Sequence, residues 1–201
     1  MLTRAHPVST QMVFAISGLC WHFGLLESCC LIPVGYCCML RTAELLDLRK
    51  SHVSFSQGKA SLILSGKTGT RTGALESTVC DDAVALKLLA MLCLSKPGPE
   101  KLLNMSSYRF RRQWRWAIEQ LGLALKDYQP YGLRRGGACE DFALHGDGAR
   151  LCLRGRWSSV RTAKVYAEEA LRIRQLASMT SDSHATIDFW ATNFMTKFKE
   201  L

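Results

Sequence analysis

The chain has no stretch of about 20 uninterrupted apolar residues, the length that a membrane-spanning helix needs. The nearest approach, residues 12–40, is interrupted by His22 and Glu27 and, in its second half, by Pro33 and Gly35. It reads as buried helices of a soluble core, and no membrane association is expected. The opening MLTRAHP lacks the basic, apolar and small-residue layout of a secretory signal. Knuckle-type cysteine spacing is missing too. The nine cysteines are odd in number and lie mostly inside apolar runs. Cys29-Cys30 and Cys37-Cys38 are vicinal pairs, not the CxxC pairs with intervening turn residues that hold zinc. They are expected to be reduced intracellular thiols filling small core positions, with no metal and no cofactor. No internal repeat is visible. A hydrophobic content of 48% argues against disorder. Acidic side chains are scarce, 17 against 26 Lys and Arg, for a net charge of +9. That excess favours a polyanionic partner, without separating DNA from RNA or an acidic membrane surface.

What is present suits one domain, or one domain and a tail. Pro7 and the apolar residues to 19 predict a first helix, and residues 24–41 a second that continues through 44–48. Three β-prone runs, 53–55, 61–64 and 76–80, predict a small three-stranded sheet. The glycine- and threonine-rich GKTGTRTG between the last two reads as an exposed hairpin tip. Further helices are expected from the Asp81-Asp82 cap to about residue 94, from Ser106-Ser107 to 121, and over 133–144, 148–153 and 159–174. Residues 1–175 then form a mostly helical α+β domain, and 176–201 a linker and an amphipathic helix.

Five residues in order suggest a chemistry: Arg41, Lys67, Arg134, Trp157 and Tyr166. Arg41 emerges from the apolar GYCCML with Glu44 one turn later. It is either a structural ion pair or a phosphate-gripping arginine oriented by Glu44. Lys67 opens the GKTGTR loop, where Arg71 and Lys59 compete for the same role. Arg134 lies in YGLRR. Trp157 sits in RGRWSS among Arg154, Arg156 and Arg161, and Tyr166 follows it by nine residues. A tyrosine can attack a phosphodiester while two planar guanidiniums hold the non-bridging oxygens bidentately. A lysine can protonate the departing hydroxyl, and the cations replace a metal.

In order, residue type and context, LRTAELLDL, LSGKTGTR, PYGLRRGGA and RGRWSSVRTAKVY resemble the catalytic domain of the tyrosine recombinases (phage-integrase family) over roughly residues 25–172. The resemblance implies a small three-stranded antiparallel sheet in a helical domain. It also implies DNA cleavage and rejoining, in site-specific recombination or integration, through a 3′-phosphotyrosyl intermediate. Arg41 and Arg134 would be the clamp, Glu44 its support, Lys67 the proton donor to the 5′ oxygen, Trp157 a phosphate donor and Tyr166 the nucleophile. Tyr131 departs from the family, which carries histidine in this H-x-x-R position, and Arg135 stands where many members have a second histidine. Tyrosine, with a free pKa of about 10, is a poor proton shuttle near neutrality. Double-stranded DNA is the implied partner, in nucleus or nucleoid. Arg109, Arg111, Arg112 and Arg115, interleaved with aromatics, are candidate backbone contacts, as are Arg135, Arg156 and Arg161. The separate N-terminal clamp domain of the family is expected to be missing, since only about 24 residues precede the match. A DNA-binding relic without chemistry and a type IB topoisomerase are the alternatives. Ile187, Trp190, Ala191, Phe194, Met195 and Phe198 form one apolar stripe. It is expected to dock on a neighbouring subunit and build a homo-oligomer on DNA, with docking on its own core as the other reading.

Overall fold

The computed structural model describes residues 5–64, 76–166 and 169–200. Helix α1 (Thr10–His22) starts where the Ser9 hydroxyl accepts from the Met12 amide, an N-cap. Helix α2 (Leu26–Cys37) carries Pro33 within it. It stops four residues before Arg41, earlier than the apolar pattern predicts, because Met39 adopts φ 48° and the chain turns back through Leu40 N–H to Gly35 O. Arg41 therefore does not end α2. It is the N-cap of the short α3 (Thr42–Asp47), and the Glu44 carboxylate accepts from its amide at 2.7 Å.

The sheet is β1 (Val53–Ser56), β2 (Lys59–Leu64) and β3 (Glu76–Cys80), antiparallel in that order. Ser56 pairs with Lys59 across Gln57 and Gly58, both at positive φ, which makes a two-residue hairpin whose turn follows the strand twist. Along β2, Ala60, Leu62 and Leu64 are buried and the residues between them are exposed, so one face packs on the helices. Helices α4 (Ala83–Ser95) and α5 (Ser107–Gln120) start on Asp82 and Ser106 caps. They are followed by α6 (Gly132–His145), α7 (Gly148–Gly155), α8 (Val160–Tyr166), α9 (Glu169–Ala177) and α10 (Ser181–Glu200).

The main core joins α1, α2, α4 and α5, with Leu19, Leu31, Leu88, Phe110 and Trp114 all nearly inaccessible. Helix α6 approaches α2 and the N-terminal segment at backbone contact. A Cβ on Gly136 would lie 2.0 Å from the Val8 carbonyl, and one on Gly137 2.0 Å from the Tyr36 carbonyl. That proximity sets Tyr131 and Arg134, at the start of α6, against the turn that carries Arg41. A second cluster, Met39, Ala138, Leu151 and Ala163, lies under Trp157 and Tyr166.

The linker expected after residue 175 is short, because α9 runs to Ala177 and α10 begins at Ser181. The stripe on α10 covers α1 of the same chain: Ile187, Ala191 and Phe194 are buried, and Gly18 admits the Trp190 carbonyl. Phe14 and Phe194 stack, and Ser183 Oγ donates to Gly122 O. Docking on its own core is the arrangement in this structure. No helix among the described residues is long and apolar enough to cross a membrane.

Candidate active site

Glu44 is the hub. It is 3% exposed, too deep for a carboxylate without partners. Its Oε2 accepts from the Arg41 amide and from Arg156 Nη2 at 2.8 Å, and its Oε1 from Arg41 Nη1. Arg41 also reaches Glu76 Oε2 at 3.1 Å, and a third of its side chain stays in contact with solvent. Burial lowers the Arg41 pKa, but the bonds and charges of Glu44 and Glu76 outweigh it, and the net shift is upward. The guanidinium is thus firmly charged and held from behind, with one side open.

Arg134 is 1% exposed. Its Nη1 donates to Met39 O at 2.5 Å and its Nη2 to Gly155 O, so it ties the Arg41 turn to the end of α7. The guanidinium lies 4.6 Å above the Trp157 ring. Burial first, then the positive charges of Arg156 and Arg41, pull its pKa down to about 10. An anion among these three arginines would relieve that repulsion. Two of its five donor hydrogens are engaged, which leaves others available.

Gly155 is forced by this packing: a Cβ there would fall 1.7 Å from the Trp157 ring. Arg156, at φ 56°, then turns the chain so that Trp157 stacks on Tyr166 with centroids 4.8 Å apart. Cys139 Sγ donates to the Tyr166 carbonyl at 3.3 Å. The Tyr131 hydroxyl donates to the Tyr166 hydroxyl at 3.2 Å. Burial, then the bond to Tyr166, push the Tyr131 pKa up to about 12. An open cavity of about 400 Å3, lined by Tyr131, Tyr166, Arg135, Arg161 and Thr162, gives the two hydroxyls access to solvent.

The structure brings Arg41, Glu44, Tyr131, Arg134, Trp157 and Tyr166 into one connected cluster. Lys67 and its competitor Arg71 lie outside the described residues. Two arginines expected on DNA are placed otherwise. Arg156 faces inward, donating to the Cys38 and Met39 carbonyls and to Glu44. Arg135 is 2% exposed and donates to Ala5 O at 2.8 Å. Arg161 is exposed at the cavity rim. Arg109, Arg111, Arg112 and Arg115 are exposed along α5, and Arg109 and Arg112 flank a groove with Phe23, Leu25 and Trp116. Glu76 and Cys139 were not foreseen. Nothing in sequence spacing marks either one, since each reaches the site only through sheet or helix packing.

No protein-family model matches the chain, and no curated protein matches it in sequence. Solved structures do match in shape. The XerH site-specific recombinase bound to palindromic difH substrate, a post-cleavage complex, superposes with a TM-score of 0.65 at 15% identity over 87% of this chain. The pre-cleavage XerH complex with difH gives 0.65 at 16% identity over 88%, and the XerA recombinase 0.64 at 16% over 90%. The chain spans 53% of the XerH chain and 65% of the XerA chain. The fold is that of a tyrosine-recombinase catalytic domain, mostly helical with one small antiparallel sheet.

Proposed function

We propose that the chain breaks and rejoins DNA strands, with Tyr166 as the nucleophile and a 3′-phosphotyrosyl linkage as the intermediate, in site-specific recombination. The observation that carries the reading is the contact between Tyr166 and Tyr131 beside Trp157, Arg134 and the Arg41–Glu44 pair. A tyrosine hydroxyl open to a cavity and backed by buried guanidiniums suits attack on a phosphodiester.

The Tyr166 oxygen forms the new bond to phosphorus, and the 5′ oxygen of the next nucleotide leaves. Arg41 and the remaining donors of Arg134 stabilise the charge that builds on the non-bridging oxygens. Tyr131, held neutral, keeps its hydroxyl hydrogen on the Tyr166 oxygen and steadies it as it loses its own proton to solvent. Lys67 is the proposed donor to the leaving oxygen. Arg161 at the cavity rim and the α5 arginines are proposed to hold the duplex backbone.

One observation favours the relic reading: both terminal nitrogens of Arg134 already bond backbone carbonyls. Incubation with duplexes nicked close to the cleavage site, so that the released fragment diffuses away, separates the two. Cleavage leaves a covalent complex that survives denaturation. A relic leaves only complexes that dissociate in denaturant.

A further inference from the structure

Cys37, Cys38 and Cys80 come from the end of α2, its C-cap and the end of β3, and their three sulfurs lie within 4.8 Å of one another. Cys37 Sγ is 4.0 Å from Cys38 Sγ and 3.9 Å from Cys80 Sγ. A thiophilic cation with metal–sulfur bonds of about 2.3 Å needs sulfur–sulfur edges of about 3.8 Å when tetrahedral and about 4.0 Å when trigonal. Two of the three edges already stand at that spacing, and the third, Cys38 to Cys80, lies within 4.8 Å.

The surroundings fit as well. Cys37 lines a cavity of about 400 Å3 together with Asp81 and Arg154, which gives an ion a way in and leaves room for a solvent ligand. Asp81 is not available as that ligand, because its carboxylate is held by both terminal nitrogens of Arg154, at 2.9 and 3.0 Å. Arg154 also donates to the Cys37 carbonyl, so a cation charge sits beside the anion that three thiolates and a divalent ion would make. In the metal-free thiols Cys38 Sγ donates to Val79 O and Cys37 Sγ to Val34 O, contacts that are given up when the sulfurs lose their protons to a cation.

We infer that Cys37, Cys38 and Cys80 form a three-thiolate site for a d10 thiophilic cation, Zn2+ or Cu+, with an open position toward the cavity. The vicinal pair gives no such indication in the sequence, because its third ligand arrives from a strand far along the chain. The ion would pin the end of β3 to the turn at Met39. That turn bears Arg41, whose partner Glu76 opens the same strand. The site is independent of the DNA chemistry proposed above.

The full chain, reduced and stripped of metal, is titrated with Zn2+ and separately with Cu+ under argon, with Co2+ as a spectroscopic probe of thiolate ligation. The expected result is one equivalent of bound ion and thiolate-to-cobalt charge transfer. The unfolding midpoint should rise with zinc concentration. Peptide mapping after alkylation should find Cys37, Cys38 and Cys80 protected together by the ion. The tighter of the two cations identifies the metal. Cys80→Ser should remove the binding, and Cys93→Ser should keep it. Because Cys80→Ser could disturb folding, the protection map on the unaltered chain is decisive in its own right. No stoichiometric ion, or protection of Cys20, Cys29 and Cys30 instead, overturns the assignment.

Discussion

At the scale of residues, the site is a set of cations organised by two carboxylates. Glu44 is bonded to Arg41 and Arg156 at once. Glu44→Gln should leave the partly exposed Arg41 and the buried Arg156 short of charge, and a broken buried pair such as Arg156–Glu44 costs about 3–5 kcal/mol. Thermal unfolding of that variant should show a large drop in Tm, and a change of less than a degree or two would make Glu44 a bystander. Arg134→Lys keeps a charge but loses the fork that spans Met39 and Gly155. Loss of one oriented donor costs roughly 10²–10³-fold in rate. Single-turnover cleavage at the normal rate in this variant would remove Arg134 from the clamp. Tyr131 carries a pH prediction. Its hydroxyl is held to about 12, so it stays protonated across neutrality and gives no step in a rate profile there. Tyr131→His puts a group of pKa about 6.5 beside Tyr166, and the cleavage rate should then rise as the imidazole loses its proton. A flat profile in the histidine variant would mean that position 131 does not communicate with the nucleophile.

At the scale of elements, the site depends on α6 lying against α2 at backbone distance. Gly137→Ala must displace the Tyr36 carbonyl from 2.0 Å. Overpacking of this kind costs about 1–3 kcal/mol, and chemical denaturation should register it. An unchanged midpoint would show that α6 can retreat freely. Much of this level was legible in the sequence. The β-prone run 61–64 falls within β2, and Asp82 and Ser106 cap the helices expected to start beside them. The spacing of Trp157 and Tyr166 reflects a real stack. The break at Met39 was not legible, because a left-handed methionine has no composition cue and the flanking residues are uniformly apolar. Nor were the inward turns of Arg135 and Arg156. An arginine next to a candidate phosphate-gripping arginine reads as another phosphate contact, and only tertiary packing shows that it satisfies carbonyls. The stripe on α10 was visible, but an amphipathic helix does not encode whose groove it fills. In this structure it covers its own α1. Removal of residues 184–201 should therefore expose α1 and lower the Tm markedly.

At the scale of the whole molecule, a net charge of +9 and the exposed arginines of α5 favour a polyanion. Affinity for duplex DNA should fall steeply with salt, with a slope near −0.9 per phosphate neutralised. Tight binding that ignores salt would contradict a backbone-contacting interface. The central claim of the proposed function is that Tyr166 bonds covalently to a DNA 3′ phosphate. The most direct measurement is to digest a trapped protein–DNA complex with nuclease and protease and locate the residual nucleotide by mass spectrometry. The expected result is a nucleotide phosphate on the peptide that contains Tyr166, and none from Tyr166→Phe, which keeps the Trp157 stack. An adduct on any other residue, or one that persists in Tyr166→Phe, would contradict the assignment.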